Sequence, residues 1–229
     1  MIKENIQEIK DRIDSACQRS GRNTSEVTLI AVSKTFSRDE IKETVGAGIP
    51  DIAESYVQEM TGKYEELKTE PINWHFVGPL QRNKIKYIID FVHLIHSVES
   101  VKVCQEIEKR ASRLDREVDI LIEVNTSDEP QKHGIKPEEA LGLFNEIAVF
   151  DYVKVRGLMT MAPFVDNPAD ARPSLKKLYE LREQLLQGGV PDIQLKHLSM
   201  GMSNDFEVAI EEGATLVRIG SGIFGERSQ

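Results

Sequence analysis

The sequence has 229 residues, 40% hydrophobic and 29% charged, which are ordinary proportions for a globular protein. Its 29 Lys and Arg residues against 38 Asp and Glu residues give a net charge of −9, which argues against partners held by bulk positive charge, such as nucleic acids and anionic membranes. The chain has only two cysteines, which argues against a disulfide framework. Charges near the N-terminus argue against a signal peptide, and the lack of an apolar run of about 20 residues argues against a membrane span. We therefore expect a cytoplasmic protein.

Helix and strand patterns alternate along the chain. Apolar residues spaced three and four apart from Ile2 to Ala16 predict an N-terminal helix that ends near Gly21. Short apolar runs then predict eight strands, and their lack of alternation is typical of parallel strands buried on both faces. These runs lie at residues 27–33, 51–54, 73–77, 91–95, 118–124, 153–159, 193–198 and 215–219.

A helix-length segment separates each predicted strand from the next. Ser37 is typical of a helix N-cap, and Pro137 is typical of a first helical turn. Leu141, Phe144 and Ile147 are predicted to form the inner face of the helix that follows Pro137. The predicted helical segments lie at residues 37–45, 57–67, 85–89, 101–114, 137–147, 175–185 and 204–212.

Strands that alternate with helices in this way predict an α/β protein, a closed (β/α)8 TIM barrel with an extra N-terminal helix. We expect residues 1–229 to form a single domain, because no linker or low-complexity segment interrupts the pattern. An open doubly wound sheet is the alternative, but it would usually have a glycine-rich turn after its first strand. Ser33, Lys34 and Thr35 occupy that position here.

The carboxyl ends of the strands form the active face of such a barrel. Lys34 ends the first predicted strand, and a lysine whose pKa is lowered by burial forms Schiff bases, although a surface lysine is the simpler interpretation. The other strand ends carry mostly polar residues, which are common where a strand meets a loop. They are Glu54, Ser55, His75, Val77, Gly78, Ser97, Asn125, Met159, Thr160, His197, Ser199, Arg218, Gly220 and Ser221.

The loops after the last two predicted strands have the composition of phosphate-binding segments. Residues 199–204 contain two serines and a glycine before a predicted helix, and residues 220–222 have the sequence Gly-Ser-Gly. Hydroxyl groups and closely approached backbone N–H groups bind phosphate, and the phosphate sites of these barrels often lie in these two loops. Either segment alone could be a helix cap or a turn, but their joint placement favours a phosphate site.

Arg218 lies inside the eighth predicted strand. A buried charge must be paired, so this arginine forms either a salt bridge with a carboxylate such as Glu54 or Glu123, or a contact with a ligand. Together, Lys34, the two phosphate-type loops and Arg218 suit a phosphorylated aldehyde. Pyridoxal 5′-phosphate (PLP) and the sugar phosphate of an aldolase both satisfy this chemistry.

Seven motifs resemble those of the pyridoxal phosphate homeostasis proteins, which are relatives of the alanine racemase N-terminal domain. The motifs occur in order from about the first strand to Gly225. They are Ala-Val-Ser-Lys at 31–34, Glu-Ser-Tyr-Val-Gln-Glu at 54–59, Trp-His-Phe-Val-Gly at 74–78, Leu-Gln-Arg-Asn-Lys at 80–84, Gly-Leu-Met-Thr-Met at 157–161, His-Leu-Ser-Met-Gly-Met-Ser at 197–203 and Val-Arg-Ile-Gly at 217–220.

The resemblance implies a TIM barrel that holds PLP as an aldimine on Lys34. It also implies that Arg218 faces the pyridine nitrogen and that the serine and glycine loops contact the phosphate. The family usually has Gly-Glu-Asn-Tyr after the second strand, whereas this chain has Ala53 and Ser55 at the first and third of these positions. The predicted cofactor site comprises Lys34, Ser55, Met159, His197, Ser199, Ser203, Arg218, Gly220 and Ser221, with no separate catalytic residue and no metal ligand.

The resemblance further implies a role in PLP and vitamin B6 homeostasis, as a carrier or regulator without robust catalysis. A weak PLP-dependent amino-acid racemase is the alternative, but alanine racemases take a second base, a tyrosine, from a second domain that we do not find here. A Schiff-base aldolase that uses Lys34 without PLP is the third hypothesis. We expect PLP as the ligand and PLP-dependent apo-enzymes as partners, and we expect the protein to be a monomer. Lys84 and Lys132 are either solvated loop lysines or secondary PLP lysines.

Overall fold

The computed structural model describes residues 1–127, 129, 131–188 and 194–225. Its centre is a closed barrel in which each strand pairs in parallel with the next and the last pairs with the first. This closed strand order confirms the predicted TIM barrel and excludes the open sheet. The strands are β1 (Thr28–Val32), β2 (Asp51–Glu54), β3 (Asn73–Phe76), β4 (Leu94–Val98), β5 (Val118–Glu123), β6 (Val153–Met159), β7 (His197–Ser199) and β8 (Leu216–Ile219).

Helices surround the barrel and overlap the predicted helical segments, except that α8 was not predicted and the segment predicted at residues 85–89 overlaps a 3₁₀ helix. They are α1 (Ile2–Ser20), α2 (Arg38–Gly46), α3 (Val57–Glu66), α4 (Val101–Ala111), α5 (Ala140–Ile147), α6 (Arg172–Gln187), α7 (Phe206–Glu211) and α8 (Ser221–Phe224). Short 3₁₀ helices lie at Thr24–Glu26, Arg82–Tyr87, Ser112–Leu114, Pro137–Glu139 and Pro168–Ala171. Within the described ranges, no helix is both long enough and apolar enough to cross a membrane.

The predicted N-terminal helix is confirmed as α1, which packs against α7 and α8. Its apolar face is buried, and Ile6, Ile9 and Ile13 are each 3% exposed or less. Gly21 ends the helix with φ of 67°, a left-handed conformation that glycine adopts without steric cost. The three- and four-residue spacing therefore identified both this helix and its buried face.

The fourth strand begins later than predicted, at Leu94 rather than at residue 91. Phe91 instead stacks on Tyr64 of α3, with ring centroids 3.7 Å apart. The segment before it is the 3₁₀ helix Arg82–Tyr87, where the sequence predicted a helix centred a few residues later. The apolar residues near position 91 thus cover the outside of the barrel, and the shift places His96 inside β4.

The predicted inner face of α5 is wrong at one position. Leu141 is 47% exposed, whereas Leu143 and Phe144 are buried. The buried residues of α5 are Ala140, Leu143, Phe144 and Ile147, whose three- and four-residue spacing forms one helix face that leaves Leu141 outside. The start predicted for the seventh strand, residue 193, lies outside the described residues, and the described strand is His197–Ser199.

Side chains along each strand alternate between the barrel interior and the surrounding helices. Leu29 and Ala31 belong to the outer core, whereas Ile30 between them belongs to a smaller, separate interior cluster. That cluster contains Ile30, Ala53, Leu94, Leu121, Met159 and Leu216. Buried polar residues share the interior with it, namely His75, His96, Ser199 and Arg218, each 5% exposed or less.

Gly157 in β6 lies against the backbone of β7. A Cβ atom at Gly157 would lie 1.9 Å from the carbonyl oxygen of His197, the residue with which it pairs. Gly157→Ala should therefore force β6 and β7 apart and lower the free energy of unfolding by about 3 kcal/mol, which urea denaturation measures. Gly142→Ala on the exposed face of α5 is the control, since nothing lies within 4 Å of its Cβ position. Equal losses in the two variants would contradict this explanation.

Candidate functional site

A cavity of 360 Å³ opens at the carboxyl ends of the barrel strands, the end at which barrels of this type bind substrates. The described residues that line it are Val32, Lys34, Phe36, Ser55, Val77, Met159, Met161, Phe164, Met202, Ser203, Asn204, Arg218, Gly220, Ser221 and Gly225. Much of the predicted site therefore meets in one place. The predicted residues found there are Lys34, Ser55, Met159, Ser203, Arg218, Gly220 and Ser221.

His197 and Ser199 are not brought to this cavity. His197 is the first residue of β7 and lines a different pocket, at the amino ends of the strands beside Thr28 and Thr215. Ser199 is fully buried, and its Oγ accepts a hydrogen bond from Arg218 Nη1 at 2.5 Å. Alternate residues of a strand share a face, so both side chains point into the barrel interior rather than into the cavity. The cavity contact predicted for Ser199 is therefore left to Ser203.

Lys34 follows β1 in a turn with an uncommon backbone conformation. The next residue, Thr35, has φ of 71°, a left-handed conformation that costs a β-branched residue about 1–3 kcal/mol. Its N–H donates a hydrogen bond to Glu59 Oε1 at 2.5 Å. The turn that positions Lys34 is therefore held in place by a side chain of α3.

Lys63 of α3 joins this turn to the end of β2. Its Nζ donates to the Ser33 carbonyl oxygen, to Glu54 Oε1 and to Glu59 Oε1, each at 2.7 Å. Glu54 is fully buried, and Ser33 Oγ donates to the same Oε1 at 2.6 Å. Burial raises the pKa of Glu54, and the Lys63 ammonium opposes that rise. Lys63 thus compensates a buried carboxylate beside the Lys34 turn.

The predicted phosphate loops meet at one corner of the cavity. Ser221 Oγ donates to Ser203 Oγ at 3.2 Å, and the N–H of Gly222 donates to the same Ser203 oxygen at 3.3 Å. A side chain at Gly222 would approach Ile219 Cγ2 to 2.9 Å, so a glycine is needed for the close packing of this corner. Two adjacent hydroxyl groups can both donate to the oxygens of a phosphate.

Arg218 lies where β8 reaches the cavity, and only 5% of its surface is exposed. Its Nη1 donates to Ser199 Oγ at 2.5 Å and its Nη2 to the Thr160 carbonyl oxygen at 2.9 Å. Burial lowers the pKa of Arg218 to about 10, and the charge of Glu123 opposes this effect. Glu54, one candidate for a salt bridge with Arg218, pairs with Lys63 instead. Arg218 is therefore bound mainly by neutral acceptors.

Lys34 and Arg218 are the only ionisable side chains among the described residues that line the cavity. An amine, a guanidinium and several hydroxyl groups suit an anionic ligand that carries a carbonyl group. The described lining contains no carboxylate and no imidazole that could act as a further base. Across the described part of the chain, no group of three or more His, Cys, Asp or Glu residues could hold a metal ion.

The departures from the usual family motif are accommodated locally. Ala53 is fully buried in the interior cluster of the barrel, where its methyl group is packed. Ser55 lines the cavity, and its backbone is approached so closely by Gly78 that a Cβ there would lie 2.0 Å from the Ser55 carbonyl oxygen. Lys84 and Lys132, the possible secondary PLP lysines, are not among the described residues that line the cavity.

The sequence patterns did not indicate the residues of α3 that hold the turn after β1, nor some of the residues that line the cavity. Glu59 and Lys63 are four residues apart on α3, a spacing that indicates an ion pair, but their link to the turn after β1 is not local. Phe36 lines the cavity and stacks on Phe224, with ring centroids 4.6 Å apart. Phe164 also lines it while remaining 85% exposed, which no local pattern indicates.

Lys63→Met tests the network beside Lys34. The substitution keeps the side-chain length but leaves the buried Glu54 carboxylate without its cation, and we expect the free energy of unfolding to fall by about 3 kcal/mol at neutral pH. Lys68→Met is the control, because the Lys68–Glu65 pair is exposed and contributes at most about 1 kcal/mol. Urea denaturation of both variants measures the difference, and similar losses would show that Lys63 has no special role.

Glu123, at the end of β5, makes the stability of the fold depend on pH. Only 6% of its surface is exposed, and burial together with the charge of Glu99 raises its pKa to about 7, with His133 and Arg218 opposing. A glutamate in the unfolded chain has a pKa of about 4.3. The folded protein therefore binds a proton more tightly at Glu123, and the stability from this effect is fully present below about pH 4 and lost as the pH rises through about 7.

Glu123→Gln should remove this dependence on pH. The free energy of unfolding of the variant minus that of the wild type should rise by up to about 3 kcal/mol between about pH 5 and about pH 8. Urea denaturation at the two pH values measures this difference. Glu117→Gln is the control, since the Glu117 side chain is 59% exposed and should show no such change. A Glu123→Gln difference that does not vary with pH would show that Glu123 titrates normally.

Comparison with known proteins identifies the family. The family model of the alanine racemase N-terminal domain matches residues 2–228. The pyridoxal phosphate homeostasis protein of Aquifex aeolicus is 46% identical over 224 residues, which are 98% of this chain and 97% of the relative. That of Escherichia coli K12 is 33% identical over 232 residues, 99% of this chain and 97% of the relative.

Solved structures agree with this result. The structure of PipY from Synechococcus elongatus with PLP bound has a TM-score of 0.85 and 30% identity, covering 98% of this chain and all of PipY. Alanine racemase from Corynebacterium glutamicum, at 13% identity and a TM-score of 0.72, shares the fold over 96% of this chain and 61% of the racemase. The chain belongs to the family of pyridoxal phosphate homeostasis proteins, which is built on the alanine racemase N-terminal domain.

Proposed function

We propose that this protein binds PLP through Lys34 and acts in PLP homeostasis as a carrier or regulator without robust catalysis. The observation that carries the proposal is that an amine, paired serine hydroxyl groups and a buried guanidinium line one cavity of 360 Å³. Membership of the family and the PLP-bound structure of PipY support it. The family match over residues 2–228 supports treating the chain as one PLP-binding domain.

The groups of the cavity fit the chemistry of PLP. Lys34 supplies an amine for the aldehyde, and the hydroxyl groups of Ser203 and Ser221 can donate to the phosphate. Arg218 supplies a donor for the pyridine nitrogen, and the apolar wall that includes Met159 suits a planar ring. Each of these four groups of PLP therefore has a counterpart among the described lining residues.

Arg218 also bears on what the bound cofactor can do. When bound, PLP supplies an electron-withdrawing ring, and the group at the ring nitrogen sets how strongly the ring withdraws electrons. Because the guanidinium is always charged and can only donate, it favours an unprotonated nitrogen and a weak electron sink. Such an arrangement suits retention of the cofactor better than decarboxylation or transamination.

A racemase remains the second candidate, because a weak electron sink is compatible with racemisation. That reaction needs a base on each face of the substrate, and Lys34 could serve one face. The described lining of the cavity offers no tyrosine, histidine or carboxylate for the other. The carrier role is therefore better supported; it implies PLP-dependent apo-enzymes as recipients, and we propose that the barrel acts as a monomer.

The Lys34 assignment is tested by fixing PLP with borohydride and locating it by mass spectrometry. We expect one reduced adduct on Lys34 in the wild type and none in Lys34→Ala, since the amine is the attachment point. Lys84→Ala is the matched control and should keep the adduct, because Lys84 is absent from the described cavity lining. A Lys34→Ala protein that keeps a reducible adduct at full occupancy would contradict the assignment.

Two further readouts separate the candidate functions. Wild-type protein that gains no visible absorption with added PLP would contradict PLP binding and favour the Schiff-base aldolase. Exchange of the α-hydrogen of alanine in deuterated water, followed by NMR, should not exceed the rate with PLP in solution. A rate well above that level would favour the racemase.

A further inference from the structure

A chain of hydrogen bonds crosses the barrel interior, from the amino-terminal mouth to the cavity. Asp51 is the first residue of β2, and its Oδ1 lies 3.0 Å from His75 Nε2. His75 Nδ1 lies 3.0 Å from His96 Nε2, and His96 Nδ1 lies 2.8 Å from Ser199 Oγ. Arg218 Nη1 donates to the same Ser199 oxygen at 2.5 Å. Side chains of β2, β3, β4, β7 and β8 thus form one continuous path.

With both imidazoles neutral, the end at Asp51 determines where every proton lies. An ionised carboxylate can only accept, so His75 carries its hydrogen on Nε2 and accepts at Nδ1. His96 must then donate from Nε2 and accept at Nδ1, which leaves the Ser199 hydroxyl as the donor to His96. Ser199 can therefore accept from Arg218, the residue that can only donate. Both ends of the chain require the same arrangement.

The electrostatics of the chain support these protonation states. Burial lowers the pKa of His75, and it lowers that of His96 well below the usual value. Burial would raise the pKa of Asp51, but its interactions with His75, with the Asn73 side chain and with His93 outweigh this effect and lower the pKa. At neutral pH, the chain therefore runs from a charged guanidinium through neutral groups to a carboxylate.

The chain is shielded from solvent over most of its length. His75 is 2% exposed, while His96 and Ser199 are fully buried. In such surroundings, hydrogen bonds that donate in one direction polarise one another. The negative charge of Asp51 therefore makes Ser199 a stronger acceptor for Arg218, although Asp51 lies at the opposite mouth of the barrel.

We propose that Asp51, His75 and His96 are positioning residues for Arg218, which they hold in the orientation that presents it to the cavity and so set how tightly PLP is retained. The choice of ligand rests on the proposed function, but the hydrogen-bonded chain itself does not. None of the three is among the described residues that line the cavity. Their effect on the ligand must therefore pass through Ser199 and Arg218.

Histidine tautomers in the protein without PLP give the first test. NMR of protein labelled with ¹⁵N-histidine should show both His75 and His96 neutral and protonated on Nε2 at neutral pH. A His96 protonated on Nδ1 would overturn the inference, because Ser199 could not then donate to it. This measurement needs no substitution and no ligand, so it tests the proposed hydrogen-bond directions even where a variant fails to fold.

A double-mutant cycle on PLP affinity gives the second test. Asp51→Asn keeps the shape of the side chain and removes its charge, and it should raise the Kd for PLP by about threefold or more. Ser199→Ala cuts the chain next to Arg218. In that background, Asp51→Asn should change the Kd by less than about 1.5-fold, because the two residues act through the same path. Titration of visible absorbance measures all four proteins.

Asp119→Asn is the matched control for this cycle. Asp119 also lies at the amino end of its strand, but its Oδ1 accepts a hydrogen bond from Arg156 Nε at 2.7 Å and is not part of the hydrogen-bonded chain that leads to Arg218. It should leave the Kd for PLP unchanged. The inference would be overturned if Asp51→Asn and Asp119→Asn changed the Kd for PLP equally. It would also be overturned if Asp51→Asn changed the Kd equally in the wild-type and Ser199→Ala backgrounds. Neither outcome would contradict PLP binding itself. Wild-type protein that does not bind PLP would overturn the proposed function instead, and the histidine tautomers would still test the hydrogen-bonded chain from Asp51 to Arg218.

Discussion

Arg218 keeps a permanent positive charge inside the barrel mouth, with 5% of its surface exposed. Removing such a group from water costs several kcal/mol unless hydrogen bonds replace the lost hydration. Ser199 and the Thr160 carbonyl supply two of these bonds. Ser199 accepts from Arg218 with a lone pair, and in the arrangement that we propose its own hydrogen is donated to His96 Nδ1, 2.8 Å away. The polar residues from Ser199 to Asp51 thus extend the hydrogen bonds of one buried guanidinium through an otherwise apolar barrel interior.

Lys34 is supported in a different manner at the same cavity. Its turn is strained at Thr35 and is held by Glu59, while Lys63 balances the two carboxylates nearby. The supporting groups lie on β2 and α3 or directly after β1 rather than on long loops. Arg218 is likewise held by groups at the ends of β6 and β7. A site held by regular elements is preorganised, and preorganisation lowers the entropy that a ligand must lose on binding.

The sequence predicted the barrel because its signals are local. Helix caps such as Ser37, the face of α1 and the short apolar runs each report on neighbouring residues, and parallel closure follows from their order. The cavity was predictable to the extent that strand ends must meet at one mouth. His197 and Ser199 are absent from the described cavity lining, because the depth of a side chain within the barrel depends on register between strands, which a single strand does not reveal.

The hydrogen-bonded chain from Asp51 to Arg218 could not be predicted from local sequence patterns for the same reason. His75 was recognised as a strand-end residue, but His96 fell outside its predicted strand because Phe91 belongs to the outer packing and not to β4. Even with correct strands, the contact between His75 and His96 depends on neighbouring strands that pair with a fixed offset. Asp51, in turn, has an ordinary position at the start of β2, and only the closed barrel makes it part of a path to Arg218.

The distribution of charge fits a protein that holds a reactive anionic aldehyde. The chain as a whole carries a net charge of −9, which discourages adhesion of an anion to exposed lysines across its surface. The cavity reverses that sign locally, because its described ionisable residues are both cationic. An amine for the aldehyde and a donor for the ring then confer selectivity that bulk attraction could not. Without a further base in the described lining, the same arrangement retains its ligand and offers little with which to transform a second substrate.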